Sequence, residues 1–179
     1  MDTRLTYEDY CLYPDDGKRR EIINGEMFVA SSPDTIHQRA VMRLMVRLGR
    51  FVEIHKLGEA FIGPFDVVFS EFDVVEPDIL YISNARSGIL TNKNVQGAPD
   101  LVVEVLSEGT GKRDRTIKLN LYGKFGVDEY WTIDPNGPSA DIYRRGEEGL
   151  TMVAGLHAND ALSSPMFPGF SLPLRELTD

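Results

Sequence analysis

With 179 residues, 42% of them hydrophobic, the chain is long and apolar enough to bury one ordinary core, which excludes a disordered chain and predicts a single domain. No apolar run approaches the roughly 20 residues of a membrane-spanning helix, the first ten residues carry no secretory pattern, and the single cysteine, Cys11, has no internal partner, so a cytoplasmic protein without membrane segments is expected. The formal net charge of −9 excludes a generally basic surface, so any nucleic-acid contact must be concentrated in one region.

In chain order, Thr3 to Tyr13 predicts a short helix with Thr6 as its N-cap. Asn24-Gly25 stands between two strand-like runs, and a type I′ turn needs two positive φ angles, so Arg20–Ile23 and Glu26–Ala30 are expected to pair as an antiparallel hairpin. A helix from about Ile36 to His55 follows Pro33. Val41, Leu44, Met45, Leu48 and Val52 share one face at about 100° per residue. Arg39, Arg43, Arg47 and Arg50 fall on the other face, which reads either as a solvated surface or as a set of phosphate contacts. His37 lies on the apolar side of the first turn, either as a satisfied core histidine or as a group near a site.

Four strand candidates come next: Phe65–Phe69, Val74–Ile82, Leu101–Leu106 and Glu129–Asp134. A helix from about Lys112 to Phe125, closed by Gly126, separates the last two and predicts a crossover unit. Ala140–Arg144 and Thr151–Val153 read as an edge hairpin. Pro165 to Thr178, with three prolines, is expected to wrap the surface. The order predicts a mixed α/β domain with a central sheet.

Two carboxylates stand where apolar residues belong. Asp78 opens the run Ile79-Leu80-Tyr81-Ile82, on the same alternating face as Leu80 and Ile82. Glu104 sits inside Leu101-Val102-Val103-Glu104-Val105-Leu106, a run apolar on both faces and therefore a central strand. An unpaired charge there is costly unless a cation meets it. Asp78 could instead be a surface strand end, and Glu104 half of a buried ion pair. On the following helix, with Asp114 as the zero of rotation, Lys118, Leu121 and Phe125 all fall within about 40° of it, so Lys118 points toward the sheet. It either reaches Glu104, with Asp114 one turn earlier as an i,i+4 partner, or snorkels at the helix edge. Two strand-end carboxylates can hold Mg²⁺ through oxygen ligands. A bound metal acidifies water and neutralises charge on a phosphoryl oxygen, and a nearby lysine can orient or deprotonate that water. The three histidines have no zinc-like spacing, and neither a nucleotide-binding glycine loop nor a Gly-x-Ser-x-Gly elbow is present. Tyr130-Trp131 reads as strand core.

The blocks Glu21-Ile22-Ile23-Asn24-Gly25-Glu26, His37-Gln38-Arg39, Pro77-Asp78, Ala98-Pro99-Asp100-Leu101-Val102-Val103-Glu104-Val105-Leu106-Ser107 and Asp114-Arg115-Thr116-Ile117-Lys118-Leu119 occur in that order. Tyr122, Gly126-Val127, Glu129-Tyr130-Trp131, Asp134-Pro135 and Pro168-Gly169-Phe170 follow them. Together they resemble the putative restriction endonuclease family, long filed as a domain of unknown function within the PD-(D/E)XK nuclease superfamily. The resemblance implies a restriction-endonuclease-like core, a central mixed sheet flanked by helices, with the N-terminal hairpin added. It also implies a Mg²⁺-dependent endonuclease (Mn²⁺ as substitute) that hydrolyses DNA phosphodiester bonds and acts as a homodimer. By position, Asp78 matches the PD aspartate and Glu104 the acidic residue of (D/E)XK. The metal ligands would be Asp78, Glu104 and the main-chain carbonyl of Val105. Where the superfamily lysine belongs stands Leu106, and the matching lysine is Lys118 on the next helix. Glu26, His37, Glu21 and Asp114 are supporting candidates. The alternatives are an inactive nuclease-fold module that binds DNA or protein, favoured by Leu106 and the acidic charge, and a hydrolase of a small phosphoester.

Overall fold

The computed structural model describes residues 4–14, 16–30, 32–107, 109 and 111–178. Thr6 caps α1 (Tyr7–Cys11) in a reciprocal box, its hydroxyl accepting the Asp9 N–H while the Asp9 carboxylate accepts the Thr6 N–H. The helix is shorter than expected, and Thr3 lies outside the described residues. The hairpin forms as the Asn-Gly pair dictates: β1 (Arg20–Ile23) and β2 (Glu26–Val29) meet at Asn24 and Gly25, with φ of 53° and 78°. Asp34 caps α2 (Thr35–Ile54), which buries Ala40, Val41, Leu44, Leu48 and Val52 along one face.

Then come β3 (Gly58–Ile62), absent from the sequence reading, β4 (Val67–Ser70), β5 (Asp73–Val75) and β6 (Ile79–Ser83). The expected strand Val74–Ile82 is thus two strands in different sheets. Pro77 has no N–H for a ladder, so pairing stops there and resumes at Ile79. β7 (Val95–Gln96) and β8 (Leu101–Val105) follow. The next helix is composite: α3 (Gly111–Arg113), a π turn (Asp114–Lys118) and α4 (Leu119–Phe125), ended by Gly126 in the left-handed region at φ 93°. It crosses to β9 (Glu129–Asp134), which lies parallel to β8. β10 (Ser139–Gly146) and β11 (Gly149–His157) form the edge hairpin, and β12 (Ala161–Leu162) pairs with β13 (Leu172–Pro173).

Among the described residues the strands form a mixed six-stranded sheet, β11-β10-β9-β8-β6-β3, and a five-stranded one, β2-β1-β5-β4-β7. Odd positions of β6 and β8 (Ile79, Tyr81, Val103, Val105) pack with α2. Even ones (Leu80, Ile82, Val102) pack with Leu121 and Tyr122 of α4 and with Val67, Val75 and Val95 of the smaller sheet. The C-terminal segment does not merely wrap the surface. It buries Phe167, Phe170, Leu172, Leu174 and Leu177 on the α2 side, where these apolar side chains complete the core. No helix among the described residues is long and apolar enough to cross a membrane.

Candidate functional site

The break at Pro77 positions Asp78. Released from the ladder just before β6, its carboxylate turns to the end of β8 and accepts the Val105 N–H on Oδ2 at 2.8 Å. His37, in the first turn of α2, reaches the same oxygen through Nε2 at 3.1 Å. Arg19, leading into β1, places Nη1 2.9 Å from Oδ1. Burial alone would raise the Asp78 pKa, but the His37 contact, the Arg19 charge and the Val105 amide outweigh it and hold the carboxyl below its usual range. A carboxylate acceptor fixes the tautomer of His37: Nε2 carries hydrogen, and the buried Nδ1 has no hydrogen-bond partner.

Glu104 comes from the middle of β8, where every residue is buried. Lys118 Nζ and Tyr122 Oη both donate to its Oε1, at 2.8 and 2.7 Å. Lys118 also lies 2.7 Å from Glu21 Oε1 and 3.7 Å from Asp114 Oδ1. Burial pushes the Glu104 carboxyl up to about 8; the Lys118 charge opposes this, while Asp114, Asp78 and Glu21 add to it. Burial would lower the Lys118 pKa, yet Glu104, Glu21 and Asp114 surround it and raise it instead, so it stays an ammonium. Tyr122 is pushed well above its ordinary value by burial and then by Glu104, and remains a donor.

Apart from Tyr122, these groups line one cavity of about 30 Å³, room for a single water or ion. Around it stand four carboxylates (Glu21, Asp78, Glu104, Asp114) against three Lys or Arg side chains (Arg19, Arg113, Lys118), with His37 beside them. The acids outnumber these cations by one. A divalent cation fits that imbalance. Among the described residues no group of three or more His, Cys, Asp or Glu side chains is placed to hold a metal ion by itself. The open acceptors are Glu104 Oε2, since both of its donors use Oε1, and Asp78 Oδ1, which accepts one bond where a carboxylate oxygen can accept about two. N–H and C=O of one strand residue point to the same edge, so the Val105 carbonyl faces the Asp78 side too. Two carboxylate oxygens, a carbonyl and water are a Mg²⁺-like donor set.

The family model Uma2, described as "Putative restriction endonuclease", matches residues 6–175. The chain belongs to the Uma2 family. No curated protein matches it. Its fold is similar to that of a crystal structure titled as a putative nuclease belonging to DUF820 from Anabaena variabilis ATCC 29413, with a TM-score of 0.80, 19% sequence identity and 97% of each chain covered. Uma2 membership and this likeness agree with the mixed α/β, restriction-endonuclease-like core expected from sequence.

Of the residues singled out in the sequence, the cavity of this Uma2 chain gathers Asp78, Glu104, Val105, Lys118, Glu21, His37 and Asp114. Glu26 is not among them; it is exposed at the turn end of β2, opposite Ile23. None of Arg39, Arg43, Arg47 and Arg50 lines the cavity. Arg47 instead pairs with Glu176 at 2.9 Å, and Arg43 reaches that residue's carbonyl at 3.5 Å, because the C-terminal turn packs along α2. The sequence reading missed Arg19 and Arg113. Alternation along Arg19, Glu21 and Ile23 could have placed Arg19 on the face of the buried Glu21. Arg113 gave no such signal; it ends α3, just before a π turn that no residue pattern announces.

Proposed function

We propose that this chain is a single-domain, Mg²⁺-dependent endonuclease that hydrolyses phosphodiester bonds of DNA in the cytoplasm. One observation carries the reading: Asp78, from the broken end of β6, and Glu104, from buried β8, line one cavity with Lys118 Nζ 2.8 Å from Glu104. Asp78, Glu104 and the Val105 carbonyl would hold the ion. When bound, the ion supplies acidification of a water and neutralisation of charge growing on a phosphoryl oxygen. Lys118 occupies the role of the superfamily lysine from the following helix. As an ammonium between Glu104 and Glu21 it has no lone pair to take a proton from water, so it donates hydrogen bonds and orients Glu104. His37 holds Asp78 by Oδ2, so that Oδ1, which Arg19 touches, is the oxygen turned to the ion.

Supercoiled plasmid incubated with Mg²⁺ or Mn²⁺ tests this. The chain should nick it, EDTA should stop the reaction, and Asp78→Ala should be inactive. Equal nicking by Asp78→Ala rejects the assignment. A homodimer with one site per strand would give linear product without accumulated nicked circles. The tight pinning of Lys118 favours a second reading, an inactive module that binds DNA or protein; plasmid retained on the chain but never cut would select it.

A further inference from the structure

Beside the ion-sized cavity lies a larger cleft of about 260 Å³ between the first turn of α2 and the lead-ins to β1 and β6. His37 and Asp78 belong to the wall that the two spaces share. Among the described residues Arg19 is the one Lys or Arg side chain that lines both. Its grip is uneven. Nη2 donates to the Glu76 carbonyl and Nε stands 3.6 Å from Glu76 Oε2, without a hydrogen bond of its own, whereas Nη1 holds Asp78 Oδ1. Resting on the metal-dependent reading above, we propose that Arg19 is the phosphate clamp of this site. It holds Asp78 Oδ1 in the structure and leaves that oxygen for a phosphoryl oxygen of the bound strand when Asp78 turns to a divalent cation.

Three observations argue for it. Asp78 Oδ1 is the oxygen an ion needs, and a guanidinium already sits on it. A second positive charge on the same oxygen repels the first, so Nη1 is the contact that yields, while Glu76 retains the other end of the fork as a pivot. No neighbouring cation can take the role: Lys118 is buried between Glu104 and Glu21, and Arg113 lies against Glu21 and over the Phe28 ring, away from the cleft. Arg19 keeps a quarter of its side chain exposed, on the cleft side where a backbone phosphate would enter. Its planar fork matches a phosphate bidentately, which Lys18 at the rim cannot do.

Calcium supports binding without turnover and gives a readout apart from activity. The probe is a fluorescein-labelled DNA duplex, titrated by anisotropy in EDTA and in Ca²⁺, with Ca²⁺ affinity measured separately by calorimetry. In EDTA, where Arg19 sits on Asp78, the original chain and Arg19→Ala should bind the duplex equally. In Ca²⁺ the original chain should bind about ten- to a hundredfold tighter than Arg19→Ala, the worth of a charge-assisted hydrogen bond. Ca²⁺ itself should bind Arg19→Ala as tightly or tighter, since its competitor is gone. Arg19→Lys keeps a cation on Asp78 and guards against misfolding; it should show near-original Ca²⁺ affinity with reduced duplex affinity. Equal losses in EDTA and Ca²⁺, or weaker Ca²⁺ binding by Arg19→Ala, overturns the clamp alone. An original chain that binds neither Ca²⁺ nor Ca²⁺-dependent duplex overturns the metal-dependent reading and the clamp with it.

Discussion

Replacing Lys118 by methionine keeps most of the side-chain volume and removes the charge on which the buried acids converge. Nζ lies 2.7 Å from Glu21 and 2.8 Å from Glu104, and all three side chains are almost fully buried. Breaking a buried pair by deleting one partner costs about 3–5 kcal/mol. The lower end applies here. Without Lys118 the Glu104 carboxyl, already pushed up to about 8, stays protonated near neutral pH. Glu21 keeps Arg113 at 3.4 Å and the Glu76 amide at 3.1 Å. A loss of about 3 kcal/mol corresponds to a fall in Tm of roughly 6–12 °C for a chain of this size. Thermal unfolding by circular dichroism at pH 7.5 in EDTA measures it. Adding Glu104→Gln should recover part of the loss, because one of the two acids that Lys118 serves is gone. A fall of less than about 2 °C would mean that the ammonium lies in solvent, and the relocated-lysine argument goes with it.

Glu104 makes stability depend on pH. The folded chain holds its proton up to about 8, an unfolded one only to about 4.3. This stability is complete below the unfolded value and is lost as pH rises through about 8, on the order of 1.4 kcal/mol per pH unit crossed. Urea denaturation in EDTA at pH 5, 7 and 8.5 should show that decline in the original chain and a flatter profile in Glu104→Gln; matching profiles refute it. At Gly63 an added Cβ would stand 2.5 Å from the Pro77 carbonyl, so Gly63→Ala must shift the segment that aims Asp78. It should cost about 1–3 kcal/mol and slow plasmid nicking, and an unchanged nicking rate would speak against that coupling. Asp34→Ala removes the α2 cap that accepts the His37 amide at 2.8 Å and should lower stability by about 1 kcal/mol, read as a Tm shift of a few degrees.

Local chemistry made much of this legible. Asn24-Gly25, the apolar stripe of α2, the crossover between β8 and β9, and the strand Glu129–Asp134 follow from turn geometry and periodicity, and the structure has them. Rotation at 100° per residue placed Lys118 with Asp114 on the inner face even though the segment between them is a π turn. That widening shifts side chains by part of a turn, too little to carry Lys118 outside. What stayed hidden depends on long-range packing. The signal at Pro77 was present but overridden by the apolar run around it. Arg43 and Arg47 look like a free basic stripe until the C-terminal turn brings Glu176 across α2. Arg19 precedes β1, and only the meeting of two sheets sets it against Asp78.

A buried glutamate is by itself no mark of a site, and Glu129 shows why. It is as buried as Glu104 and also lies in an apolar strand. Yet its Oε1 accepts the Trp131 indole N–H at 2.6 Å, and its Oε2 accepts Arg144 at 2.8 Å and Ser164 at 3.1 Å. Both oxygens are matched, and Glu129 borders no cavity with Asp78. Glu104 differs in three ways: its donors crowd one oxygen, other acids surround it, and burial, with those acids adding to it, pushes its pKa upward. Glu129 is satisfied by its neighbours, whereas Glu104 keeps Oε2 open, as the metal-dependent reading proposed above requires. Glu129→Gln should therefore lower stability, by about 1–3 kcal/mol for the mismatched partners, and leave plasmid nicking intact. Glu104→Gln should retain the fold and lose nicking. The reverse pattern would move the candidate centre to the Trp131 side of the sheet.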